Sequence, residues 1–226
     1  AKKYRLDIEY PRFFRDDLYR WIKKYWPPAA QVKSLRQKSV EQALGLSDDR
    51  TDEISGSECI ELYNRYLALS DEHAKELILL HNKDDVRLLS AIYTGISSLP
   101  YDLIAFEQGF PVKTNDLIKV KQLRADKNAL YARAEKTPGG IPASIYDDNY
   151  ELEYNPLSGE IELKLLLSQL ENSLYVDLVK LPVDAQTFTG LSGYHSGFLV
   201  TADEKGVKYR EANELVRQML SADNLF

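Results

Sequence analysis

LILLHNKDDVRLLSAI, residues 77–92, sets His81, Asn82, Asp84 and Asp85 in the middle of a run that otherwise reads as a buried helix. Residues four apart on a helix share a face, so His81 and Asp85 point the same way from successive turns, with Asp84 about 100° round from Asp85. A carboxylate on a rigid helix can ligate a hard divalent cation, and an imidazole one turn away can accept or orient a water proton. Spacing alone also allows a plainer account, in which His81 to Asp85 is the solvated strip of a helix whose apolar strip is Leu77, Leu80, Leu88 and Leu89. Two ligands do not make a metal site.

Upstream, three segments share the helical period. RDDLYRWIKKYW (15–26) places Leu18, Trp21, Ile22 and Tyr25 on one stripe before Pro27 and Pro28. KSLRQKSVEQALGL (33–46) repeats the pattern with Leu35, Val40, Ala43 and Leu44, and SGSECIELYNRYLAL (55–69) with Ile60, Tyr63 and Leu67. Ser55 or Ser57 is expected to cap the last of these, and Ser70 the helix that carries His81. After Pro100 the pattern changes to period 2. ALYARAEK, YELEYNPLSGEIELKLLL and SLYVDLVKLPV read as strands, Asn155 to Gly159 as a hairpin turn, and KYREANELVRQML (208–220) as a closing amphipathic helix. Tyr146, Tyr150 and Tyr154, four apart, are expected on one side of a sheet, where they either pack or stack on bases.

Composition narrows the function classes. Hydrophobic residues make up 44% and charged residues 28% of 226, with no apolar run near the roughly 18 residues a membrane span needs, so a soluble globular chain is expected. The net charge of −6 argues against a generally basic nucleic-acid coat. The charge is uneven, however, since residues 1–50 carry 12 Lys and Arg against 7 Asp and Glu. The single cysteine, Cys59, fits a reducing, cytoplasmic location and is expected as a small buried residue on a helix. His73 reads as surface and His195, in GYHSGF, as part of a turn. There is no Ser/His/Asp triad pattern, CxxC pair or phosphate-binding glycine loop.

LLHNKDDVRLL resembles the third exonuclease motif of the YprB-type ribonuclease-H-like family, predicted 3′-to-5′ exonucleases of the wider DEDD superfamily. SLRQKSVEQALGL and ISGSECIELYNRYLAL are similar to two further segments of that family, in the same order. In the superfamily four acidic residues hold two divalent metals that activate a water and stabilise the leaving oxygen. The resemblance implies that Asp85 is the last of the four and a metal ligand, and that His81 stands at the catalytic histidine or tyrosine position.

The first motif of the family is a D-x-E. LDIEY, with Asp7 and Glu9, looks like it, but the family's first motif lies much further ahead of its third than the 72 residues between Glu9 and His81. Asp7 and Glu9 are therefore expected to be decoys. No methionine precedes Met219, and the chain is expected to be the second half of a nuclease domain.

The expected architecture is α+β, with the helical portion of a ribonuclease-H-like domain over residues 1–100 and a β-rich accessory domain with a closing helix over 101–226. The expected function is part of a metal-dependent exonuclease using Mg²⁺ or Mn²⁺ on the 3′ end of single-stranded RNA or DNA, inactive without the missing N-terminal half. The alternative is a non-catalytic nucleic-acid-binding or interaction module that uses the β-rich domain. No membrane partner is expected. The apolar stripe Leu77, Leu80, Val86, Leu88 and Leu89 is expected to pack on other helices, on the β module or on a second chain by self-association. His81 and Asp85 are expected to stay exposed.

Overall fold

A computed structural model describes residues 17–96, 99–112 and 118–222. The chain divides into two compact units, one of residues 16–99 and one that holds residues 100–226. The first is helical and the second is built on two antiparallel sheets, so the fold class is α+β.

The helical unit begins with α1 (Leu18–Tyr25), capped by Asp17, whose carboxylate accepts from the Arg20 backbone N–H, and buries Trp21 and Ile22. Trp26 breaks it in extended conformation, and Pro27 to Gln31 follow as a 3₁₀ turn. Helix α2 is only Gln37–Ala43: it ends near Gly45 as expected, where φ is +72°, but starts later than the apolar spacing predicts because Arg36 before it is extended. Helix α3 (Gly56–Leu69) opens on a full capping box, in which Ser55 and Glu58 bond each other's backbone N–H. Ser70 does not cap the next helix. It ends α3 in the left-handed region, φ 51°, and Asp71 caps α4 (Glu72–Gly95) through the Ala74 N–H. Cys59, on α3, is half-buried rather than buried.

Helix α4 sets the geometry of this unit. Its buried side chains are Ala74, His81, Asp84, Leu88 and Ile92, which recur at helical spacing along one face. The two polar groups thus sit within the apolar stripe and not on the solvated side. Val86 and Leu89, expected in that stripe, are instead exposed, and with Leu79 and Tyr93 they form a second apolar line on the outer face.

The other unit starts with α5 (Tyr101–Gln108), which the period-2 reading missed; it buries Ile104 and Phe106. The first sheet comprises β1 (Phe110–Val112), β2 (Ile118–Ala125), β3 (Ala129–Glu135), β4 (Ala143–Tyr146), β5 (Tyr150–Asn155) and β6 (Glu160–Leu166), in the spatial order β1-β2-β3-β6-β5-β4. The β5–β6 hairpin turns where expected, with Asn155 paired to Glu160 and Gly159 at φ +78°. The second sheet comprises β7 (Ser168–Leu170), β8 (Ser173–Asp177), β9 (Tyr194–His195), β10 (Phe198–Asp203) and β11 (Gly206–Val207), ordered β11-β10-β8-β7 with β9 also on β10. Helix α6 (Tyr209–Ser221) buries Ala212, Leu215, Val216 and Met219, the predicted stripe, in a core shared with Val120, Leu130, Leu152, Leu163 and Leu199. Each such Leu, Val or Met side chain stabilises the fold by roughly 1.5–3 kcal/mol relative to exposure.

The three tyrosines do not share a face. Tyr150 and Tyr154 lie with Leu152 on the core side of β5, and the Tyr154 hydroxyl donates to the Gly139 carbonyl. Tyr146 pairs with Glu151 across β4 and β5, is exposed, and turns its hydroxyl to Glu153 on the opposite side. The strand break at 147–149 resets the alternation on which the spacing argument relied.

Candidate functional site

Asp84 organises the local backbone. Its Oδ2 accepts from the Thr51 backbone N–H at 2.6 Å, the Thr51 hydroxyl at 2.8 Å and the Asp52 N–H at 2.9 Å. The loop between α2 and α3 is thereby fastened to the middle of α4. These bonds, the Thr51 N–H foremost, hold the Asp84 carboxyl well below the ordinary carboxylate range, against the opposite pull of desolvation. Arg87, one turn on, donates to the Asp49 carbonyl and lies 3.5 Å from Asp84 Oδ1.

Fastening the loop brings Asp52 to His81. Asp52 Oδ2 lies 2.7 Å from His81 Nδ1, and both side chains are buried. Arg50 fills the space beside them. Its Nε and one terminal nitrogen take both oxygens of Glu41 at 2.9 and 2.8 Å, a bidentate pair, and the same terminal nitrogen reaches Asp85 Oδ1 at 2.8 Å. The other terminal nitrogen donates to Asp52 Oδ1. Hydrogen bonding to Glu41 is the largest influence raising the Arg50 pKa, so the guanidinium stays charged although it is buried. Burial pushes the Asp52 carboxyl up, but the bonds from His81 and Arg50 outweigh it and the group stands below its ordinary value. Lys38 adds a weaker approach to Asp52 at 3.4 Å and donates to the Ile54 carbonyl at 2.7 Å.

Asp85 is the carboxylate with an open side. Its side chain is 39% exposed against 2% for Asp52 and Glu41, and its Oδ2 lies 3.5 Å from His81 Nε2, beyond a normal hydrogen bond. Both predicted site residues are therefore brought to one place. The expectation that His81 stays exposed is corrected, because Asp52 supplies the buried imidazole with a partner and the α4 inner face encloses it. His73 is exposed near the start of α4, and His195 lies in β9, in the other unit. Asp7 and Glu9 lie outside the described residues.

Sequence reasoning missed Glu41, Arg50 and Asp52. For Arg50 and Asp52 the signal was DDRTDE (48–53), a charge-dense stretch between two helices that reads as ordinary solvated surface, whereas Glu41 lies within α2.

Residues 2–97 match the family model of the RNase H superfamily. This stretch is similar to RNase H-like domains. No curated protein and no solved structure matches the chain. The RNase H-like match points to nuclease-type processing of nucleic acid, a chemistry for which divalent metals are commonly used. The described part of the matched stretch does not fit a metal ion by itself. Among the described residues no group of three or more His, Cys, Asp or Glu side chains is arranged to hold one. Asp85 offers one open oxygen while Arg50 occupies the other, and Mg²⁺ keeps its waters unless several oxygens converge.

Proposed function

We propose that the helical unit carries the third motif of a metal-dependent 3′-to-5′ exonuclease of the DEDD type, acting on single-stranded RNA or DNA ends. The observation that carries this reading is the placement of His81 and Asp85 side by side on one rigid helix, with the His81 imidazole held from behind by a buried carboxylate. A positioned imidazole can accept a proton from an attacking water, and a positioned carboxylate can help hold Mg²⁺ or Mn²⁺. Asp85 Oδ2 is the oxygen this chain contributes, and the further carboxylates come from outside the described residues.

The experiment is a nuclease assay on 5′-labelled single-stranded oligonucleotides, RNA and DNA, with Mg²⁺ or Mn²⁺. The 226-residue chain is expected to leave the 3′ end intact. A chain that adds the acidic residues of the first two motifs is expected to shorten it stepwise, and Asp85→Asn in that chain to abolish the shortening. Hydrolysis by the 226 residues overturns the incomplete ligand set, and full activity of Asp85→Asn in the longer chain overturns the assignment of the motif.

A further inference from the structure

We infer that Asp52 is the positioning residue of His81, holding the imidazole by Nδ1–H so that Nε2, with its unshared electron pair, is the nitrogen turned to the open side at Asp85. The role in proton transfer rests on the proposed nuclease reading; the orientation of the ring does not.

An ionised carboxylate only accepts hydrogen bonds. Asp52 Oδ1 receives a guanidinium N–H from Arg50, and Oδ2 is approached by the Lys38 ammonium, so both oxygens are held in accepting roles. The group 2.7 Å from Oδ2 must then be a donor, which makes His81 Nδ1 the protonated ring nitrogen. Nε2 faces Asp85 Oδ2 at 3.5 Å, too far for a good hydrogen bond.

The acceptor is also fixed in position relative to the ring. The Asp52 backbone N–H donates to Asp84, three residues from His81 on the same helix. Ring, acceptor and the carboxylate that anchors the acceptor therefore form one closed frame across α4 and the 50–52 loop. A histidine steered in this way keeps the nitrogen that must accept a proton free of one, the task an orienting carboxylate performs in hydrolytic triads. Such a carboxylate works through the imidazole and touches no substrate.

Two-bond ¹H–¹⁵N correlation spectra of the uniformly labelled 226-residue chain test the assignment. At about pH 8, above the ordinary imidazole range, the chain's 3 histidines are expected to give separate ring patterns, and the set lost in His81→Gln is that of His81. His81 is expected to show a protonated Nδ1 and an unprotonated Nε2. In Asp52→Asn the amide oxygen stays on Arg50 and the amide nitrogen faces the ring, so Nδ1 becomes the acceptor and the pattern reverses to Nε2–H. An Nε2–H pattern or a doubly protonated ring in the unsubstituted chain overturns the inference, as does an unchanged Nδ1–H pattern in a folded Asp52→Asn chain. The unsubstituted spectrum decides by itself if that variant does not fold. Loss of the nuclease reading through the oligonucleotide assay leaves this result standing, so the two fail separately.

Discussion

Arg50 and Asp85 are joined at 2.8 Å, which ties the most open carboxylate of the site to a cation that is itself only 8% exposed. The open oxygen of Asp85 is thus held in place from the inside. The same guanidinium satisfies Glu41 and Asp52, and one side chain therefore neutralises much of a buried acidic cluster.

Arg50→Met is expected to destabilise the helical unit by about 3–5 kcal/mol, because it strands Glu41 and Asp52 in a buried setting without their cation. Both tryptophans of the chain, Trp21 and Trp26, lie buried in this unit. Their fluorescence during urea unfolding measures the loss directly. An unchanged midpoint contradicts a stabilising role for the cluster.

Asp85→Asn is expected to change the same midpoint by about 1 kcal/mol or less, since the side chain is substantially exposed and its ion pair is partly screened. The contrast with Arg50→Met is the informative quantity. Equal losses show that Asp85 is a structural member of the cluster and not the residue it presents.

Acid should unfold the helical unit in a defined sense. Asp84 and Asp52 have folded pKa values below their ordinary ones, so their contribution is complete above the unfolded value of about 4 and is lost as pH falls through the folded values. The urea midpoint is expected to hold between about pH 7 and 5 and to fall below about pH 4. Asp84→Asn should lower the neutral midpoint and give a shallower acid limb. A midpoint that rises on acidification excludes this account.

Gly109→Ala is expected to lower the melting temperature of the β-rich unit in calorimetry. Gly109 has φ of 85° and ψ of 177°, a region essentially confined to glycine, and an added Cβ meets the Val120 carbonyl oxygen at 2.0 Å. A melting temperature equal to that of the unsubstituted chain contradicts the close approach.

Local signals in the sequence carried much of the architecture. Ser55, one of two candidate caps with Ser57, marked the start of α3, Asn155 to Gly159 marked the β5–β6 turn, and the spacing of Ala212, Leu215, Val216 and Met219 marked the buried face of α6. Each depends on residues within a few positions of one another. The site was legible only in half. His81 and Asp85 stand out on their helix, but Asp52 lies 29 residues from His81 and Arg50 lies 35 from Asp85, distances at which only tertiary folding decides a pair. The burial of α4 also resisted reading. Its inner face contains His81 and Asp84, made compatible with the interior by partners on the 50–52 loop, whereas Val86 and Leu89 look like core and point outward. Periodicity ranks side chains by their own polarity and has no access to the donors that meet them.

The turn at Ser70 and Asp71 separates the two strips of sequence that build the site, yet it stands remote from the site itself. His81 is ten residues into α4 from Asp71, about 15 Å along the axis at 1.5 Å per residue. The α3–α4 hairpin thus behaves as a handle whose working end is the loop at 50–52 and whose grip is the Ser70–Asp71 turn. The bonds described for the cluster involve neither Ser70 nor Asp71, so extra residues spliced between those two are expected to leave the cluster in place, which makes that joint the natural place to attach a reporter or a tether.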